Sequence, residues 1–258
     1  MATTAIILAA GKGTRMKSDL PKVLHPVCNR PMLGYVLDSC RAAGCQKLLV
    51  VVGHKAEMVK AAFAGQDRDI VYIPQEPQLG TGHAALMCLG ELKKLSGPVL
   101  VLVGDGPLIR AATLKKLLDT HAASGAACTL ATSILPETTP YGRIIRDEKG
   151  DLVSIIEYPE ATAAQRAIRE MNVSLYCFDA ASLISVLPRL TNANSKGEYY
   201  LTDTLAMLRA DGKKLAAVAA VPPEEVMGIN TIDDLADVSR IMAARESKGC
   251  CCSGGAKA

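Results

Sequence analysis

Two glycines and two bases close behind them are the first residues in this chain with chemistry to offer. The run Leu8 to Met16 (LAAGKGTRM) follows the apolar stretch Ala5 to Leu8 directly, and Lys22 lies a short way beyond. Gly11 and Gly13 let backbone amides turn toward an anion with no Cβ in the way. Arg15 and Lys22 add fixed positive charge, so the chemistry on offer is the holding and stabilising of phosphate. A Walker A loop would place Ser or Thr after Gly11-Lys12 and a glycine where Ile6 stands, and neither is present. The dinucleotide fingerprint fits Gly11 and Gly13 but fails at Met16, where its third glycine belongs. Gly-x-Gly alone would serve an ordinary strand-to-helix turn equally well. The company of Arg15, Pro21 and Lys22 moves the balance toward anion handling.

A loop of this kind works only if a rigid sheet carries it. Ala5 to Leu8, Leu48 to Val52, Ile70 to Ile73 and Val99 to Val103 read as buried strands. Helices are expected from about Pro31, with Met32, Val36 and Cys40 on one apolar face and Gly44 as the stop, and from about Lys55, Thr81, Ala112 and Thr202. Such alternation needs crossover connections and predicts a Rossmann-like α/β fold, a mostly parallel mixed sheet with helices on both faces. Ligands then gather at the carboxyl ends of the strands. After Tyr141 the pattern changes: Ile144 to Arg146 and Leu152 to Ile156 flank Glu148-Lys149-Gly150-Asp151, which reads as a hairpin and predicts a small antiparallel insertion over the site. A last helix, Thr231 to Ser247, opens on Thr-Ile-Asp-Asp, close to a capping box with Asp234 in the acidic position.

At 258 residues and 49% hydrophobic content the chain supports one elaborated domain, expected over 1–247 with a Cys/Gly-rich tail at 248–258. The net charge of +3, from 29 basic and 26 acidic residues, is too even to make nucleic acid the expected partner. Nine cysteines, five of them (Cys40, Cys45, Cys88, Cys128, Cys177) in apolar stretches, predict free buried thiols and a cytoplasmic setting. No apolar run reaches membrane-spanning length and the start carries no basic leader, so no membrane partner is expected. Cys250, Cys251 and Cys252 receive no function. His25, His54 and His83 show no ligand spacing and stay unassigned.

The segment LAAGKGTRMKSDLPKVLHPVCNRPML resembles the opening of bacterial N-acetylglucosamine-1-phosphate uridyltransferases, within the wider sugar nucleotidyltransferases. Further matching motifs follow in order along the chain: Gln75 to Ala84, Gly104-Asp105, Tyr141 to Ile144, Glu157, Asn172, Gly197 to Asp203 and Gly228-Ile229-Asn230. The resemblance implies uridylyl transfer from UTP to a sugar-1-phosphate, with N-acetylglucosamine-1-phosphate as the sugar substrate and pyrophosphate released. It implies that Asp105 and Asn230 hold Mg²⁺, an ion that favours such oxygen donors. Arg15 and Lys22 are then the catalytic charges that stabilise the triphosphate in an in-line displacement. Leu8, Ala9, Ala10, Gly11, Gly13, Lys22, Gln75, Gly80, Thr81, Val103, Gly104 and Asp105 are the implied nucleotide-side contacts, Gly80 admitting the base closely. Gly142, Glu157 and Asn172 are the implied sugar contacts, and Asn230 is an implied substrate contact besides its part in holding the metal. Read without the resemblance, Glu157 and Asn172 are surface residues on strand ends, Asp105-Gly106-Pro107 is a turn, and GEYYLTD caps a helix at Thr202.

Two departures from the family pattern stand out. Val103-Gly104-Asp105 replaces the more common Tyr-Gly-Asp, with Gly106 after it, and Val173-Ser174 follows Asn172 where Thr-Gly is usual. Both predict altered sugar contacts and keep glucose-1-phosphate with UTP or dTTP as the alternative pair. The hexapeptide repeats of a left-handed β-helix are absent, so acetyltransferase activity is not expected of this polypeptide, nor is the trimer that such a helix assembles. A non-catalytic nucleotide-sugar sensor is disfavoured because Arg15, Lys22, Asp105 and Asn230 are all present.

Overall fold

The computed structural model describes residues 2–137 and 139–250. Eleven strands appear among them: β1 Thr3–Leu8, β2 Pro26–Val27, β3 Arg30–Pro31, β4 Cys45–Val52, β5 Ile70–Pro74, β6 Pro98–Val103, β7 Cys128–Ile134, β8 Arg143–Arg146, β9 Leu152–Ile156, β10 Glu170–Asp179 and β11 Leu215–Ala219. The α-helices are α1 Met32–Ala42, α2 Ala56–Ala62, α3 Thr81–Met87, α4 Leu89–Leu92, α5 Ala111–Ser124, α6 Ala163–Arg166, α7 Ala180–Val186, α8 Asp203–Ala210 and α9 Ile232–Cys250.

Continuous apolar runs make β1, β4 and β6 the centre of the sheet, because a strand covered on both faces has no use for polar alternation. On β1, Ala5 and Ile7 enter one core cluster and Ile6 the other, all at 0% exposure. The same alternation puts Leu48 and Val50 on one side of β4 and Leu49 and Val51 on the other. The sheet order is β11-β7-β10-β6-β1-β4-β5. β1 pairs in parallel with both β4 and β6, so the loops that leave all three emerge at one edge. β10 runs antiparallel to β6 and β7 and carries the β8–β9 hairpin on β8, which is the predicted insertion. The expected fold class is the one observed.

Five strands escaped sequence reading, among them the two-residue β2 and β3. β7, β10 and β11 are cut by polar residues or built from alanine, and β10 breaks its ladder at a bulge between Asn172 and Leu175. The predicted helix starts at Pro31, Lys55 and Thr202 are each the residue before the first helical turn, and α1 ends ahead of Gly44 at φ +97. Thr202 makes no side-chain capping bond. The final helix continues to Cys250, past the expected end at Ser247, and Cys251 and Cys252 lie outside the described residues. Cys40, Cys45, Cys88, Cys128 and Cys177 are free and buried. Among the described residues no helix is long and apolar enough to cross a membrane.

Candidate active site

The edge where β1 and β6 end is closed by backbone pairing. The Ala9 N–H donates to Val51 O at 2.9 Å and the Gly104 N–H to Leu8 O at 2.9 Å, which locks the glycine loop against the turn that carries Asp105. Gly13, at φ +62, lies against Lys22: a Cβ there would come 2.6 Å from Lys22 Cβ. Gly11 has open space around its missing side chain and φ outside the left-handed region, so Gly13 is the glycine that the loop's geometry requires. Buried Val23 and Leu24 anchor the short helical turn that begins at Lys22.

Four residues spread over more than two hundred positions then meet. Lys22 Nζ donates to Asp105 Oδ2 and, at 2.8 Å, to Asn230 Oδ1. Arg15 Nη2 donates to the same Asn230 oxygen at 2.9 Å. Asn230 is held from behind: its backbone N–H and that of Thr231 both donate to Asp234 Oδ2 at 2.8 Å, while the Asp234 N–H donates to Thr231 Oγ1 at 3.1 Å. The predicted capping box is therefore present and also positions Asn230, a role that the sequence signal did not reveal. The Asp105 carbonyl accepts from the Ile229 N–H at 3.0 Å, tying the two oxygen-bearing loops together.

Leu8, Ala9, Ala10, Gly11, Gln75, Gly80, Thr81 and Val103 line a cleft that opens onto Lys22 and Asp105. Gly80 earns its place differently from the expectation. The space of its missing Cβ is taken by the Tyr199 carbonyl, which a Cβ would approach to 2.6 Å, and its φ is +103. The close approach is by the chain's own backbone: Tyr199 N–H donates to Leu79 O, Gly82 N–H to Tyr199 O and Leu201 N–H to Thr81 Oγ1. The GEYYLTD segment thus forms a wall of the cleft.

An adjoining cavity shares Leu8, Thr81 and Glu198 with that cleft and is lined by Glu157, Asn172, Ser174 and Tyr176. Asn172 is buried rather than a surface strand end, with Nδ2 2.8 Å from the Tyr176 hydroxyl and its backbone N–H donating to Gly142 O at 2.9 Å. Gly142 is tightly packed here: a Cβ on it would come 3.0 Å from Ile155 Cγ2 and 3.5 Å from Glu157 Oε2. Fully buried Arg143 pins this loop by donating to the Tyr141 and Arg166 carbonyls. Sequence reading missed Tyr176, which matters by contact and carries no spacing signal, and read Asp234 only as a helix cap.

Burial raises the Glu157 carboxyl above its ordinary range, and the Lys196 charge and a hydrogen bond with Thr202 only partly oppose this. The raised value favours the protonated form in the fold, so Glu157 costs stability once pH climbs above 4.5, the value from which it is displaced. Glu157→Gln is expected to match the wild type below that pH and to unfold at a higher temperature at pH 7. Thermal melts across pH 4–8 check the sign, and a lower melting temperature at pH 7 would contradict it. Ser174 occupies the bulge of β10 at φ +56, a conformation that glycine adopts freely and that costs a side-chain-bearing residue about 1 kcal/mol. Ser174→Gly is expected to stabilise the fold by about that amount, read from the denaturant midpoint.

A glycine turn at the sheet's carboxyl edge thus stands beside two basic side chains, one carboxylate and one amide, and the comparisons with known proteins make the chain a nucleotidyltransferase. Residues 5–194 match the MobA-like NTP transferase domain, and the chain belongs to that family. It is 43% identical over 245 residues to the bifunctional protein GlmU of Brevibacillus brevis, covering 95% of this chain and 52% of that one. It is 46% identical over 243 residues to the bifunctional protein GlmU of Trichlorobacter lovleyi, covering 94% and 53%. The chain thus spans about half the length of these relatives. A solved UDP-glucose pyrophosphorylase complexed with UDP-glucose superimposes with a TM-score of 0.75 at 19% identity, over 95% of this chain and all of that one, a likeness of fold.

Proposed function

We propose that this enzyme transfers a uridylyl group from UTP to N-acetylglucosamine-1-phosphate, giving UDP-N-acetylglucosamine and pyrophosphate. The observation that carries the reading is the meeting of Arg15, Lys22, Asp105 and Asn230 at the mouth of the cleft. A phosphate oxygen of the sugar phosphate attacks the α-phosphorus, the bond from that phosphorus to the α,β-bridging oxygen breaks, and pyrophosphate carries away the electron pair. The nucleophile is already an anion, so positioning and charge stabilisation are the protein's work.

Asp105 and Asn230 suit magnesium on the evidence of their own geometry. Two hard oxygens are drawn together around one cation, at present the Lys22 ammonium. Among the described residues no group of three or more His, Cys, Asp or Glu side chains could hold a metal, and magnesium commonly takes one or two protein oxygens and completes its shell with phosphates and water. Bound there, the metal neutralises phosphate charge. Arg15 and Lys22 bring the remaining positive charge, and the cavity of Glu157 and Asn172 receives the sugar.

A second reading, the same chemistry on glucose-1-phosphate with UTP or dTTP, is favoured by one observation: the departures Val103 and Ser174 both face ligand cavities. Pyrophosphate release measured with a panel of sugar-1-phosphates and nucleotides, with and without magnesium, decides. The expected result is highest kcat/KM for UTP with N-acetylglucosamine-1-phosphate, and no turnover with any pair would overturn both readings. The similarity to GlmU proteins over about 95% of the chain supports the first.

A further inference from the structure

We propose that His83 is the positioning residue that makes Gln75 present only its carbonyl oxygen to the nucleotide base, and so selects a base with a ring N–H at that edge over one with a ring-nitrogen acceptor. In pyrimidine terms this selects uracil or thymine over cytosine. The inference rests on the proposed function, in which the base enters the cleft beside Gln75.

Gln75 follows β5 and is only 4% exposed. Its backbone N–H donates to Val52 O at 2.8 Å, which fixes the main chain. The side-chain amide has two N–H donors and one acceptor oxygen. Nε2 lies 2.9 Å from Gly80 O and 3.2 Å from His83 Nδ1. The Gly80 carbonyl can only accept, so the amide nitrogen must face it; the reversed amide would set two oxygens against each other. The second N–H then needs an acceptor, and His83 Nδ1 supplies it when the ring is neutral with its proton on Nε2. Burial alone depresses the His83 pKa and keeps the ring neutral, with no charged side chain contributing.

With both N–H groups engaged, Gln75 has no donor left for a ligand. Among the described residues no protein donor reaches its Oε1. That oxygen is the hydrogen-bonding group that the side chain offers to the cleft it lines with Leu8 to Gly11 and Gly80. A uracil N3–H meets it as a donor. A cytosine N3 would meet it lone pair to lone pair, and a site whose buried polar group is left unpaired rejects strongly. Without His83 the second N–H is free, and the amide no longer excludes a base that accepts.

The test compares wild type, His83→Phe and His83→Asn in UTP and CTP turnover, with UMP and CMP binding by calorimetry alongside. Phe keeps a ring beside Tyr199, whose centroid lies 6.0 Å from that of His83, but cannot accept. Asn offers an acceptor oxygen. The expected result is that His83→Phe raises KM for UTP about tenfold with kcat little changed and shrinks the UTP:CTP ratio by a similar factor, while His83→Asn restores much of both. The proposal is overturned if His83→Phe keeps the wild-type ratio, if it weakens both nucleotides equally, or if His83→Asn fails to recover selectivity. If wild type turns over no sugar phosphate, the uridylyl reading falls by itself, and the proposal then stands or falls on whether wild type binds UMP more tightly than CMP and His83→Phe does not.

Discussion

Asp105→Ala is expected to lower magnesium-dependent kcat by about a thousandfold or more, because charge stabilisation at a transferring phosphoryl group is the largest rate term such a site commands. Among the described residues Asp105 is the only carboxylate bonded to Lys22, which also bonds Asn230, and it lies two residues beyond the end of β6. The loss should fall on kcat and on the magnesium requirement, with UTP binding changed less. Asp105→Asn is the companion variant: it keeps the side-chain volume and an oxygen for Lys22 while removing the charge, so its melting temperature should stay close to wild type as its activity collapses. The tie from Ile229 N–H to the Asp105 carbonyl uses backbone atoms and survives either change. Near-normal turnover in Asp105→Asn would refute the metal assignment.

Lys22→Met should produce two effects of opposite sign. Turnover is expected to fall by about a hundredfold to a thousandfold, since a fixed positive charge facing the triphosphate is lost. Divalent-cation binding to the nucleotide-free protein, followed by Mn²⁺ titration, is expected to tighten. The Lys22 ammonium bridges Asp105 and Asn230, with side-chain exposures of 13% and 23% for Lys22 and Asp105, so a cation must displace it before it can take those oxygens. Methionine keeps an unbranched stem beneath Gly13 and removes the competitor. A fall in turnover with unchanged or weaker Mn²⁺ affinity would show that Lys22 does not compete for the site. The lysine holds two electron-rich oxygens together.

The site depends on details outside the four residues that meet at its mouth. Asp234 sets Asn230 by accepting two backbone N–H groups, and the backbone from Tyr199 to Leu201 closes over Gly80, Thr81 and Gly82. These contacts bring α9 and the GEYYLTD segment into the site although neither lies near the glycine loop in sequence.

What the sequence determined by itself is local. The apolar runs of β1, β4 and β6 are legible because a strand buried on both faces must be apolar throughout, and the stop of α1 and the cap of α9 are legible because helix ends leave backbone groups that particular residues satisfy. The loop of Gly11, Gly13, Arg15 and Lys22 could be read as an anion loop for the same reason. The tertiary structure alone decided the rest. It separated Gly13, which Lys22 packs against, from Gly11, which nothing approaches; it filled the space beside Gly80 with the Tyr199 carbonyl; and it buried Asn172 on a strand whose bulge hid it from periodicity. It also brought Asn230 onto Lys22 across an interval of 208 residues, and His83 onto Gln75 across eight. Spacing along the chain reports which neighbours share a face of one element, and these contacts join different elements, so only the packing of the sheet and its loops could disclose them.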